Sequence, residues 1–329
     1  MTVYLALILV GSVGALLLTP VVTRTSEALG LVDAPGGRKV HSTSVPRAGG
    51  VAIVLSAGAT LSALALVGQS LGVVVPSFAP LTPILLGSLL VFTIGLVDDF
   101  RPVRVRLKIV VQIAAAALVM ASGLLIERLT IVGQTWQLGM LSWPVTLAWI
   151  VGLTNAFNLI DGIDGLAAGI AVIAGTTCAA ILVGRGHVAE AMLLCVLVGA
   201  AVGFLAYNFA PASIFLGDGG SLVFGFVLAT TAITGWQKGA TALAAGVPIL
   251  IFALPLADTL SALLRRAWRA PSTGRGSLGE VLRQITEPDR EHIHHRLVNL
   301  GWSTRSTVLI LYGVTLLLSL VAYMTARFD

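Results

Sequence analysis

The chain has 329 residues, 57% of them hydrophobic and only 11% charged, with a net charge of +5. Soluble domains carry about 25% charged residues, so this composition excludes a soluble globular fold and describes a membrane protein. Basic residues of membrane proteins collect in cytoplasmic loops, so the positive excess sets topology and does not indicate nucleic-acid binding. The apolar runs fit about ten transmembrane helices of roughly 20 residues each. They fall at 3–22, 49–68, 80–97, 107–124, 143–157, 165–184, 189–207, 219–236, 240–263 and 306–325. The first has no basic residues before it and no A-x-A-like cleavage site after it, so it is expected to be a retained helix.

Between the fourth and fifth spans, ERLTIVGQTWQLG is rich in β-branched residues around a Gly-Gln pair. It reads as a short extracytoplasmic β-hairpin. Cys178 and Cys195 both lie inside apolar runs and form neither a disulfide framework nor a CxxC site. There is no tandem repeat and no low-complexity tail, so the fold class is an all-α polytopic membrane protein with a single domain over 1–329. Its polar loops are expected at about 23–48, 98–106, 155–164, 208–218 and 264–305.

Charge sets the orientation. The loops around 23–48, 99–108 and 264–305 hold 16 of the 20 basic residues, and Arg128, Arg185, Lys238 and Arg327 are the rest. The rich side is therefore cytoplasmic, which puts both termini outside, and an even number of spans agrees in requiring that they share a side. Five aspartates sit at span ends on that same side: Asp98, Asp99, Asp161, Asp164 and Asp218. A carboxylate beside hydrocarbon is costly and persists mostly where it lines a polar cavity or has a task.

NAFNLIDGIDGLAAG (155–169) places Asp161 and Asp164 three apart, which on a helical turn brings both to one face. Gly162, Gly165 and Gly169 permit close approach, and Asn155 and Asn158 offer amides suited to a nucleobase or sugar. A helix cap would need only one of these acids. Asp98-Asp99 is a pair of like charges that calls for a nearby cation. Mg2+ suits it, since that ion often reaches a protein through one or two carboxylates plus substrate phosphates. The competing reading is an acidic pair balanced by Arg101, Arg104, Arg106 and Lys108.

FLGDGGS, containing Asp218, can aim helix-start amides at a phosphate. Asn208 and Phe215 precede it, and Phe215 could stack on a base or simply pack. HIHHRL (292–297) lacks a zinc-like cysteine partner and suits hydrogen-bond donation to a phosphate, with Arg296 offering a fork, or else is a solvated turn. RKVHSTSVPRAGG (38–50) adds Arg38, Lys39, His41 and Arg47, as a contact loop or as a topology signal only.

The order RKVH…PRAGG, DD, NAFNLIDGIDGLA, FLGDGGS, HIHHRL resembles the polyprenyl-phosphate N-acetylhexosamine-1-phosphate transferases over nearly the whole chain. The PRAGG and HIHHRL forms look like the bacterial branch that begins O-antigen, teichoic acid or related glycans from UDP-GlcNAc. The related MurNAc-pentapeptide translocases typically show three consecutive histidines here. Some relatives carry a further acid three or four positions after Asp98, where this chain has Arg101 and Pro102.

The resemblance implies a multi-pass plasma-membrane enzyme with a cytoplasmic active site. It would transfer GlcNAc-1-phosphate from UDP-GlcNAc to polyprenyl phosphate and release UMP. Another UDP-N-acetylhexosamine or UDP-MurNAc-pentapeptide is the alternative donor, and a homodimer is compatible with the family. The implied cofactor is Mg2+, with Mn2+ as a substitute, held by Asp218 with help from Asp99. Asp98 would deprotonate or orient the lipid phosphate, with a covalent aspartyl-phosphate as the competing route. Asp161 would serve metal or nucleotide. Asn158, Asn208, Phe215, Gly162 and Asp164 would bind the nucleotide, and Lys39 would touch it. His292, His294, His295 and Arg296 would meet the pyrophosphate or sugar.

The rival from another class is an ion-coupled transporter. It predicts acids near the bilayer midplane and related halves, and Asp258, inside the ninth span, is the residue that favours it.

Overall fold

The computed structural model describes residues 1–33, 44–68, 70, 72–73, 75–131, 134–236, 246–269 and 292–327. Its helices follow in chain order as α1 (Thr2–Ala28), α2 (Gly49–Val67), α3 (Thr82–Phe100), α4 (Val105–Ala121), α5 (Ser142–Ile160) and α6 (Leu166–Gly184). Then come α7 (Val188–Asn208), α8 (Gly217–Trp236), α9 (Gly246–Ile251), α10 (Ala253–Arg269), α11 (Ile293–Asn299) and α12 (Thr304–Arg327). Eight helical segments among the described residues are long and apolar enough to cross a bilayer. The expected spans at 107–124 and 240–263 are the two that do not appear in that set. α4 has 17 residues. Residues 237–245 lie outside the described residues, and the chain beyond them divides into α9 and α10 around Phe252. Pro255 supplies the reason for that division, because it cannot donate an N–H to the carbonyl four residues back.

Burial sorts the helices into an inner and an outer set. The apolar windows of α7 and α8 are 78% and 89% buried, whereas that of α1 is 28%. The outer helices turn large apolar side chains outward, among them Leu5, Leu9 and Leu17 on α1 and Leu316, Leu317 and Leu320 on α12. That is the pattern of a bundle whose solvent is lipid, where burial gives little drive between helices and close packing must supply it. α1 and α7 show how. A Cβ on Gly203 would lie 2.9 Å from the Ser12 carbonyl carbon and closer still to its oxygen.

Two threonines of the inner helix α8 are satisfied locally. The Thr230 and Thr231 hydroxyls on α8 donate to the Phe226 and Val227 carbonyls at 2.9 and 2.7 Å, so these residues add no unpaired donor to the apolar interior. The Trp149 indole N–H donates across to the Ala229 carbonyl at 3.0 Å and ties α5 to α8. Both cysteines are free and buried.

Two short antiparallel ladders complete the fold. β1 (Val32–Asp33) pairs with β2 (Val45–Pro46), and β3 (Arg128–Ile131) pairs with β4 (Gln134–Gln137). The first has no sequence signature because two residues cannot display an alternation.

Helix boundaries change the expected loops. Asp98 and Asp99 belong to the last turn of α3, leaving only 101–104 before α4, and Asn155 and Asn158 belong to α5. The ends of α3, α5 and α7 and the starts of α2, α4, α6 and α8 meet at one end of the bundle, where Asp98, Asp99, Asp161, Asp164 and Asp218 lie.

Candidate active site

The site is built around the first turn of α8. Gly50 of PRAGG lies against it so closely that a Cβ there would be 2.6 Å from the Gly220 Cα, and Gly95 of α3 would meet the Asp218 carbonyl oxygen at 2.6 Å. Three chain segments can therefore converge only because these positions carry no side chain.

The paired aspartates divide their work. The Asp99 carboxylate accepts the backbone N–H groups of Asp218 at 2.8 Å and Gly219 at 3.1 Å. It caps α8 from another helix, satisfying two amides that begin the helix without intrahelical partners. This corrects one expectation. Those amides of the Gly-Asp-Gly-Gly-Ser turn are spent on a carboxylate and do not await a phosphate, while Asp99 holds α8. Asp98 faces the other way. It accepts the Val103 N–H at 2.6 Å and the Lys108 ammonium at 3.2 Å.

Lys108, in the first turn of α4, completes the arrangement. Its Nζ also lies 2.7 Å from Asp218 Oδ2, so one ammonium is clasped between Asp98 and Asp218. Asn158 donates to the Ser221 hydroxyl at 3.1 Å and also hydrogen-bonds the Asp218 carboxylate. Asp161, just beyond α5, adds a further acid to this group. Burial, followed by the charges of Asp218 and Asp99, pushes its carboxyl well above the usual carboxylate range, with Arg47 opposing.

These groups fit a divalent cation bound together with substrate. The ammonium of Lys108 already stands where positive charge is wanted, and the oxygen donors of Asp98, Asp218 and Asn158 suit a hard ion. Among the described residues no three His, Cys, Asp or Glu side chains form a ready-made metal cage. Phosphate oxygens would have to complete the shell, as they commonly do for Mg2+.

The Asp161–Asp164 pair is corrected. Residues 161–165 form a non-helical turn, with Gly165 at φ +79 opening α6, so the two carboxylates do not share a helical face. Asp164 turns away to accept the Ala212 N–H at 2.9 Å and tethers the 209–216 loop. Asn208 does the same from inside. It is 2% exposed and donates to the Ile214 carbonyl at 2.9 Å. Phe215 joins this loop to the PRAGG segment, its N–H donating to the Pro46 carbonyl and its carbonyl accepting from Gly49. Asp164 and Asn208 thus shape the loop through these two bonds. Asn155 is likewise spent, donating to Gln112 on α4 at 2.5 Å.

The histidines close the far wall. His292 and His294 are buried, and their rings stack with centroids 5.8 Å apart. His294 packs on Gly162, where a Cβ would lie 2.8 Å from its Cε1 and closer to its Nε2. The histidine motif and the Asp161–Gly162 turn are thereby brought together from opposite ends of the sequence. Arg296 is exposed in α11. Lys39 and the His295 side chain lie outside the described residues.

Two contacts from α12 went unread in the sequence. The Arg305 guanidinium donates to the Ala210 carbonyl at 2.6 Å, and the Tyr312 hydroxyl donates to the Gly165 carbonyl. Neither belongs to a motif, and only the spacing of a basic and an aromatic residue along one apolar helix hints at them. Asp258 is also reassigned. Both its oxygens are used on the histidine segment, by the His292 ring at 2.8 Å and the Ile293 N–H at 2.8 Å, which removes the one residue that favoured a carrier.

Comparison with known proteins agrees with this geometry. Residues 81–236 match the family described as glycosyl transferase family 4. The chain is 35% identical to a probable undecaprenyl-phosphate N-acetylglucosaminyl 1-phosphate transferase of Bacillus subtilis, over 93% of this chain and 80% of the relative. It is 33% identical to a decaprenyl-phosphate N-acetylglucosaminephosphotransferase of Mycobacterium tuberculosis, over 87% and 74%. It is 27% identical to the undecaprenyl-phosphate alpha-N-acetylglucosaminyl 1-phosphate transferase of Escherichia coli K12, over 90% and 77%. With its matched helices contributing the acids around α8 and its similarity extending through the histidine segment, this chain belongs to glycosyl transferase family 4.

Proposed function

We propose that the chain transfers N-acetylglucosamine-1-phosphate from UDP-N-acetylglucosamine to polyprenyl phosphate, at the cytoplasmic face of the plasma membrane. The names of the relatives support the sugar phosphate and the lipid, and the charge asymmetry of the loops supports the side. The observation that carries the reading is the Asp98–Lys108–Asp218 arrangement at the head of α8. It offers both signs of charge at a membrane surface, where an anionic lipid headgroup and a nucleotide diphosphate must be brought together.

In the reaction a lipid phosphate oxygen attacks the phosphorus bonded to the sugar. The bond from that phosphorus to the bridging oxygen breaks, and UMP leaves with the electron pair. Asp218 and Asn158 would hold Mg2+, which when bound offsets charge growing on the diphosphate. Asp99 keeps Asp218 in place through the α8 backbone. Asp98 orients the incoming headgroup, and Lys108 supplies a fixed cation beside both acids. His294 and Arg296 serve the pyrophosphate or sugar from the opposite wall.

The test is UMP release by purified protein given UDP-GlcNAc and undecaprenyl phosphate, with Mg2+ or with chelator, beside Asp218→Ala. Lipid- and Mg2+-dependent release that falls at least about 10²-fold in the variant is expected. Release from a different UDP-sugar alone would reassign the donor. No release from any UDP-sugar would refute the transferase reading.

A further inference from the structure

The HIHHRL segment is held by a residue that no motif contains. Asp258 on α10 is 1% exposed, and its two oxygens engage consecutive residues of the segment. Oδ2 lies 2.8 Å from His292 Nδ1, and Oδ1 accepts the Ile293 N–H at 2.8 Å. The His292 ring is nearly parallel to that of His294, with an interplanar angle of 3°. His294 in turn rests on Gly162, beside Asp161. A continuous series of contacts therefore runs from a buried carboxylate on α10 to the acidic turn of the site.

We propose that Asp258 is a positioning residue for the transfer, fixing the tautomer and orientation of His292 and so seating the stacked His294 ring on the Asp161–Gly162 turn. The proposal rests on the transferase reading above. A carboxylate at Nδ1 selects the tautomer protonated there and leaves Nε2 as the accepting nitrogen, as carboxylates do behind metal-bound and catalytic histidines. The simpler alternative is that Asp258 only caps α11 through the Ile293 N–H. Asn separates the two. In Asp258→Asn the amide oxygen can still accept the Ile293 N–H. Its NH2 can only donate to His292, which moves the ring proton to Nε2.

Two measurements on the full-length protein test this. The first is kcat and KM for UMP release by wild type, Asp258→Asn, Asp258→Ala, His292→Ala and the Asp258→Asn/His292→Ala double variant. Asp258→Asn should lose about 10²-fold in kcat, as a misplaced contact group does. The double variant should be no worse than His292→Ala alone, because the two residues act as one unit. Asp258→Asn within about twofold of wild type beside an impaired Asp258→Ala would leave only the cap and overturn the proposal. So would losses that multiply in the double variant. The second measurement is histidine 15N NMR, which reads the tautomer whether or not the enzyme turns over. A His292 proton on Nδ1 in wild type that moves to Nε2 in Asp258→Asn is expected, and an unchanged tautomer would overturn the proposal. A wild type that releases no UMP would defeat the transferase reading, and the NMR result would still decide whether Asp258 sets the ring.

Discussion

Replacing Gly162 by alanine is the sharpest probe of how the histidine wall meets the acidic turn. The new Cβ would sit 2.8 Å from the His294 Cε1, whereas ordinary contact begins at 3.4 Å. The ring must therefore retreat by about 0.6 Å at that atom and further at Nε2. It has little room to do so, being 1% exposed and stacked on His292. Displacements approaching 1 Å in a contact group cost about 10²-fold in rate, and overpacking costs about 1–3 kcal/mol in stability. A glycine-to-alanine change at an unstrained, uncrowded turn instead stabilises by about 0.4–1 kcal/mol through the unfolded chain. The two expectations have opposite signs. UMP release and melting in detergent should show Gly162→Ala about 10- to 10²-fold slower and less stable. Adding His294→Ala should restore the stability by removing the clash, though not the rate. A Gly162→Ala enzyme with wild-type rate and an unchanged or raised melting midpoint would refute the packing argument.

Three further outcomes follow from other parts of the site and bundle. Asp99→Ala leaves the Asp218 and Gly219 amides without their cap and should lower stability by about 1–2 kcal/mol, measured by melting without any substrate, whereas a metal ligand alone would show no such loss. Asp161 contributes a pH dependence. Its raised value means that the folded chain binds the proton more tightly than the unfolded one, so stability is fully present in acid and is lost as pH rises through the folded value. With metal chelated, Asp161→Asn should therefore melt above wild type at about pH 8 and converge with it toward about pH 4. In the bundle, Gly203→Ala should cost about 1–3 kcal/mol by forcing α1 from α7, read as a lower melting midpoint without a change in KM.

Much of the architecture was legible because the bilayer imposes it. Long apolar runs must be helices, and charge counts orient them, so the placement of the acids at one end of the bundle could be read before any contact was known. The convergence of PRAGG, DD, NAFNLIDGIDG and FLGDGGS was legible for the same reason, since their loops share a side. What was not legible depends on what each polar group faces. Spacing placed Asp161 and Asp164 on one face only if the turn were helical, and the positive φ at Gly165 marks a chain that has left the helix. The α8 amides looked open because their cap, Asp99, lies 119 positions away in the sequence. Asp258 looked like an acid within a span, and its partners are 34 and 35 residues away across a segment whose path no periodicity reports.

The last helix links this site to its surroundings. α12 is an outer helix packed on α6 and α9, and from one face it grips both the 161–165 turn, through Tyr312, and the 209–216 loop, through Arg305. Helices tilt to match their hydrophobic length to the bilayer. A change in tilt of α12 would move both loops together, so the thickness of the surrounding lipid becomes a variable of the site's geometry. Rates compared across lipids of graded acyl length, with Tyr312→Phe as the variant that releases one grip, would read that coupling directly.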